Sequence, residues 1–284
     1  MKRLTVLLLF LSLFLGACSV ALSLITTSTP TPLPPTPTPS LPPPTSRPSP
    51  TPDPPDTGWL SVVPGMEVRS LPVTTSLGIE RVNLTRLAPE DFHFRIHYTP
   101  GKAQALRAWA MQTGLLLTIN AGYFSETYEV IGLTIVEGRP YGFVYEDFAG
   151  MFTVKQNGEV SVRWLRERPY SYNEPLVAGV QSFPVLVKPG GVMGFPPDAD
   201  DGSPARRTVV AQDRDGHILF LIAPRGYFSL HELAVWLVRS DLDVDIALNL
   251  DGGNSSGLWL DEGPHPIQID SYTPVPAVIT VSQR

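Results

Sequence analysis

Apolar and polar positions alternate in Phe92-His93-Phe94-Arg95-Ile96-His97-Tyr98, the period-two pattern of a strand with one buried face. His93, Arg95 and His97 share the other face and are expected to meet solvent. Leu115 to Ile119 is apolar but for Thr118 and reads as a strand buried on both sides, delivering Asn120-Ala121-Gly122-Tyr123-Phe124 at its carboxyl end. Trp59 to Val68 predicts an opening strand broken at Pro64-Gly65. Gly132 to Val136, Val177 to Val187, Thr208 to Ile222, Asp245 to Leu250 and Pro276 to Val281 predict further strands, the fourth-quarter pair folded at Asp215-Gly216. Two segments carry helical spacing. Lys102 to Gln112 stops at Thr113-Gly114, and a second helix opens at the capping box Ser229-Leu230-His231-Glu232 and runs to about Arg239. Strands outnumber helices, so the fold class expected is α+β, one domain with a mainly antiparallel or mixed sheet core and a few packed helices.

The front of the chain departs from this pattern. Met1-Lys2-Arg3 precedes the apolar run Leu4 to Leu15, too short to span a bilayer and suited to a signal-peptide core. It ends in Leu15-Gly16-Ala17-Cys18, which resembles a bacterial lipoprotein box, so Cys18 is the expected lipidation site and membrane anchor. Residues 26–57 hold about 14 of the 31 prolines, interleaved with Ser and Thr. Such a segment forms neither helix interiors nor sheet ladders and reads as an extended stalk. The expected division is a signal segment at 1–25, a linker at 26–57 and one domain at 58–284, placed in the cell envelope or secreted.

That domain keeps 18 basic and 25 acidic residues, with no basic run longer than Arg206-Arg207. A general nucleic-acid binder needs a cationic surface to displace counterions, which excludes that class. A single Cys excludes an internal disulfide framework and a Cys-rich zinc site.

Chemistry collects where two buried strands end in Asn and Gly with carboxylates nearby. One is Asn120-Ala121-Gly122, followed by Glu126 and Glu129; the other is Asn249-Leu250-Asp251-Gly252-Gly253. Asn249 and Asp251 flank Leu250, so on a strand their side chains leave the same face. Burying both is costly unless they are hydrogen-bonded or used, and a tight turn with a satisfied Asx side chain is the alternative. Arg206 and Arg207 must face opposite ways, so only one can join such a site; a guanidinium suits bidentate binding of phosphate or carboxylate.

Asn120-Ala121-Gly122-Tyr123-Phe124, Gly132-Leu133, Gln181-Ser182-Phe183-Pro184-Val185, Arg207-Thr208 and Asn249-Leu250-Asp251-Gly252-Gly253-Asn254-Ser255 resemble, in order and spacing, the phosphodiester glycosidase family. The resemblance runs from about Trp59 to the last strand. Asn254 stands where the family usually has Gly, and Tyr227-Phe228-Ser229 replaces a Gly-containing turn. The resemblance implies cleavage of a phosphodiester-linked carbohydrate at the anomeric carbon, with release of a phosphomonoester and no cofactor called for. It implies Asp251 as nucleophile or base, with Glu129 second and Glu126 third. Arg207 and the Gly252-Gly253 amides would stabilise the departing phosphate. Asn120 and Asn249 would orient hydroxyls or water and Tyr123 would stack on the sugar, with Gly122 and Ser255 completing the motif. The competing class is an envelope protein that binds an anionic glycan without turnover.

Overall fold

The computed structural model describes residues 53–284. Cys18 and the signal segment lie outside the described residues, as does most of the Pro-rich stretch. Among the described residues, those from Asp53 to Thr57, which composition assigns to the linker, already contact the domain. Asp53 pairs with Arg225 at 2.5 Å, Asp56 with Arg69 at 2.6 Å, and the Thr57 N–H donates to the Ser70 carbonyl.

All strand pairings are antiparallel, which resolves the mixed-sheet alternative, and the fold is β-rich with two α-helices among the described residues. An eight-stranded sheet runs Leu60–Val63, Met66–Thr74, Ile79–Leu87, Ile218–Phe228, Ala205–Asp213, Val244–Asn249, Val185–Lys188 and Val192–Met193. A five-stranded sheet orders Arg139–Tyr141, Thr134–Val136, Leu176–Ser182, Gly150–Lys155 and Val160–Trp164. A second five-stranded sheet orders Ile267–Ile269, Leu258–Leu260, Leu117–Asn120, Ala277–Gln283 and Phe92–Tyr98. The expected Val177–Val187 strand is thus two strands in different sheets, broken at Phe183-Pro184.

One core joins the three sheets. Phe94, Phe152 and Phe220, one from each, form a triangle with ring centroids 6.1, 6.3 and 6.4 Å apart. The other face of the large sheet is covered by the Leu230–Arg239 helix, whose Leu233, Ala234 and Leu237 pack among Leu186, Val209, Leu219 and Leu221. Central strands buried on both faces show no alternation, which is why Val209 to Ala211 and Ile218 to Ala223 read as unbroken apolar runs on either side of the Asp215-Gly216 turn. The first helix is shorter than its spacing suggests, Leu106–Thr113, because Gln104 instead bridges Val275; Gly114 ends it with φ of 60°.

Where Ile218–Phe228 leaves register with Ala205–Asp213, pairing jumps from Arg207–Ala223 to Ala205–Phe228. The freed N–H groups of Arg225 and Tyr227 donate to the buried Glu80 carboxylate, each at 3.0 Å, and the Arg81 N–H adds a third bond at 2.9 Å. Backbone donors compensate the desolvation of such a carboxylate, and the bulge they hold shapes the strand carrying Arg206 and Arg207.

The Ser229 capping box is formed in full: its hydroxyl accepts from the Glu232 N–H at 3.1 Å, and the Glu232 carboxylate from the Ser229 N–H at 3.2 Å. Ser229→Ala is expected to cost about 1 kcal/mol and lower the melting temperature by roughly 2–4 °C, read by thermal denaturation.

Candidate active site

Asn120 closes Leu117–Asn120 with its side chain wholly buried. Its Nδ2 donates to the Asp251 carbonyl at 2.7 Å, and its Oδ1 accepts from the Gly257 N–H at 3.0 Å and the Thr208 hydroxyl at 2.9 Å. One amide therefore holds both ends of the loop from Asp251 to Gly257 and ties it to the Arg207-Thr208 strand. The Asp251 N–H donates to the Ala121 carbonyl at 3.2 Å, so the aspartate backbone is pinned on both sides. The expectation that Asn120 orients substrate gives way: with its amide engaged by protein atoms, it positions the loop.

Asn249 ends Val244–Asn249, and its Nδ2 lies within hydrogen-bond reach of the Tyr123 hydroxyl, the Phe183 carbonyl and the Leu250 carbonyl at 2.9, 3.0 and 2.7 Å. Two hydrogens serve three acceptors, while its buried Oδ1 has no partner. The Tyr123 hydroxyl donates to the Phe183 carbonyl at 2.8 Å. Burial raises the pKa of that phenol, with the Asp251 charge acting in the same direction and Arg207 against it. Tyr123 thus links the three polar groups of the site.

Asp251 is largely desolvated, and burial pushes its carboxyl up to about 6; the Ser255 hydroxyl and Gly252 N–H pull the other way. Ser255 and Gly252 of the motif thus act on the aspartate. Gly253 has φ of 60° with open space where a Cβ would stand, a conformation that favours glycine. Gly122 is a packing requirement: a Cβ there would lie 2.8 Å from Val180.

Arg207 is 9% exposed, and its Nε donates to the Phe228 carbonyl at 3.1 Å and its Nη2 to the Ser203 carbonyl at 2.8 Å. It forms no ion pair among the described residues, and its Nη1 donates no hydrogen bond there. That nitrogen lies 4.0 Å from the place a Gly252 Cβ would occupy. Burial lowers the guanidinium pKa, countered by Tyr123, Asp200 and Asp201, two acids not singled out from sequence. Arg206 faces the other way, as strand alternation requires: its Nη2 donates to the Asp270 carbonyl at 3.0 Å and its plane lies 4.0 Å from the Tyr272 ring.

Glu129 and Glu126 are exposed, and Glu129 accepts the Tyr98 hydroxyl at 2.6 Å. No hydrogen bond or ion pair joins either to Asp251 or Arg207. A cleft of about 820 Å³ runs along Phe92–Tyr98 past His93, Arg95 and His97, and is lined by none of the residues gathered around Asp251. His93 is exposed as expected; His97 is half-buried and shares a hydrogen bond with Thr280 at 3.1 Å.

Residues 113–282 match the family model described as phosphodiester glycosidase. The chain belongs to that family. No curated protein matches it. Among solved structures, the catalytic domain of zebrafish N-acetylglucosamine-1-phosphodiester alpha-N-acetylglucosaminidase, auto-inhibited by its pro-peptide, is similar with a TM-score of 0.58 at 17% identity, covering 77% of this chain and 83% of that one. A hypothetical protein from Synechocystis is similar with a TM-score of 0.58 at 18% identity, covering 82% of this chain and 64% of that one. A Burkholderia pseudomallei protein named as exported gives 0.52 at 12% identity, covering 72% and 74%. At these identities the likeness is one of fold, and it takes in strands outside residues 113–282.

A carboxyl whose pKa is about 6 when folded and near 3.8 when unfolded destabilises the fold as it ionises. The cost is absent below pH 4, grows to pH 6 and is complete above it. Asp251→Asn is therefore expected to gain up to about 3 kcal/mol over wild type at pH 8 and nothing at pH 3.5, compared by denaturant unfolding at the two pH values.

Proposed function

We propose that this phosphodiester glycosidase hydrolyses a sugar-1-phosphodiester at the anomeric carbon, releasing the sugar and a phosphomonoester. The observation that carries this reading is a buried guanidinium that forms no ion pair among the described residues and faces the loop that bears a half-buried, desolvated carboxylate. Phosphate is the charge that Arg207 lacks, and an anomeric carbon gaining positive character is what Asp251 would stabilise.

In the reaction the bond between the anomeric carbon and the bridging oxygen breaks, and its electron pair stays with the phosphate. A phosphomonoester is a weak base with a second pKa near about 6 and leaves as an anion, so acid assistance is dispensable. Arg207 holds that anion through its free Nη1. Asp251 in its ionised form attacks the anomeric carbon or takes the proton of the water that does. Asn249 presents its unpaired Oδ1 as an acceptor, and Tyr123 supplies a ring face. Glu129, with an oxygen engaged by Tyr98, takes no step here. The Leu15-Gly16-Ala17-Cys18 box and the Pro-rich segment support a cell-envelope location, with the domain tethered through Cys18.

Purified protein is to be assayed on a panel of sugar-1-phosphodiesters in water enriched in oxygen-18. The heavy oxygen is expected in the sugar; its appearance in the phosphate would move the chemistry to phosphorus. Asp251→Asn is expected to lower kcat by at least about a thousandfold and Arg207→Ala by about a hundredfold or more. Wild-type turnover by folded Asp251→Asn, or binding without turnover across the panel, would overturn the assignment.

Because the ionised carboxylate is required, kcat/KM should fall as pH drops through about 6 and level off above it. A profile flat between pH 5 and 8 would remove Asp251 from the reacting groups.

A further inference from the structure

Two acids act on Arg207 without pairing with it. Asp200 and Asp201 lie on the connection between the Val192–Met193 and Ala205–Asp213 strands, and their charges oppose the lowering of the guanidinium pKa by burial. The same connection supplies one of the guanidinium's partners, the Ser203 carbonyl, which accepts from Nη2 at 2.8 Å. The Ser203 N–H in turn donates to Asp201 Oδ1 at 2.8 Å, so a single residue joins that carboxylate to Arg207. Asp200 turns the other way: its Oδ2 accepts from the His231 N–H at 3.2 Å, in the first turn of the Leu230–Arg239 helix.

Backbone donors thus hold both carboxylates in place, short of an ion pair with the guanidinium. The Ser203 N–H keeps the Asp201 carboxyl below the usual carboxylate range, and Arg207 adds to this. Tyr123 is the third ionisable group acting on Arg207. An anion site built for affinity alone would carry no fixed negative charge beside its guanidinium; like charges placed there serve to refuse a ligand.

The substrate and product of the proposed reaction differ in charge. A phosphodiester carries one negative charge, whereas a phosphomonoester, with a second pKa of about 6, carries about two above neutral pH. Each charge placed at Arg207 is drawn by one guanidinium in contact and repelled by two carboxylates farther off. The cost of desolvating the anion grows with the square of its charge. The first charge is therefore accepted, while the second returns little attraction and costs more. We propose that Asp200 and Asp201 set the charge limit of the phosphate position at one, admitting the diester monoanion and expelling the monoester dianion that hydrolysis leaves behind. The inference rests on the hydrolase reading above. Neither aspartate touches the reacting atoms; both act on which phosphate stays bound.

The test uses the full chain at pH 8 with phenyl sulfate and phenyl phosphate, which share a shape and carry one and about two negative charges. Calorimetry is expected to show wild type binding phenyl phosphate no tighter than phenyl sulfate. Asp200→Asn and Asp201→Asn each keep an oxygen acceptor and lose the charge. Each should shift the ratio several-fold toward phosphate, and the double variant by about tenfold or more. Asp215→Asn, in the exposed turn before Ile218–Phe228, should leave the ratio as in wild type, which separates the local effect from net charge. A ratio unmoved in the double variant, a wild type that favours phenyl phosphate, or binding of neither anion would overturn the proposal. On any sugar-1-phosphodiester that is turned over, inhibition by phenyl phosphate should tighten in the double variant by the same factor. If none is turned over, the hydrolase reading fails, and the calorimetric ratio still decides the charge limit.

Discussion

The site depends on one buried amide. Asn120 spends its Oδ1 on the Gly257 N–H and the Thr208 hydroxyl and its Nδ2 on the Asp251 carbonyl, so a single side chain joins strands from two sheets to the loop that carries the acid. A hydrogen bond in a dry interior is strong, and leaving one of these groups unpaired costs more than the bond adds. The loop from Asp251 to Gly257 therefore has one favourable closure. That closure brings Gly252 against the Arg206 carbonyl, 3.0 Å from where a Cβ would stand, and close to the Arg207 guanidinium.

Around this staple the protein accepts two unfavourable burials. Arg207 has carbonyl partners and no ion pair among the described residues, with Asp200 and Asp201 acting on it only from a distance, and Asp251 is desolvated enough to raise its pKa toward neutrality. Each would be cheaper with a counter-ion in place. Unsatisfied charge of this kind accumulates where a ligand is meant to complete the electrostatics. The unpaired Oδ1 of Asn249 belongs to the same pattern. Glu80 shows the opposite solution elsewhere in the sheet: it is fully buried, and three backbone donors satisfy it.

Much of this was legible in the residue order. Phe92–Tyr98 alternates cleanly because only one face is buried, and the capping box at Ser229 marked its helix start to the residue. Asp251 and Arg207 stood out because a carboxylate before Gly-Gly and an arginine entering a buried strand are local signals. Direction was harder to read. Asn120 and Gly122 belong to the motifs, yet motifs name residue types and not the side on which each contact is made, so the ties of Asn120 to the loop and the packing of Gly122 on Val180 could not be read from them. The ring contacts of Phe148 with Tyr123 and Phe183 left almost no trace, since the three residues meet only through strand ends far apart in sequence.

The strand Ala277–Gln283 lies between Leu117–Asn120 and Phe92–Tyr98 and completes the edge on which Asn120 sits. It is far from both of them in sequence. Until it threads between these two neighbours, the amide has no fixed frame, and neither charge can be trapped in a dry setting. The site is thus a property of the whole closed sheet, and no shorter stretch of the domain carries it.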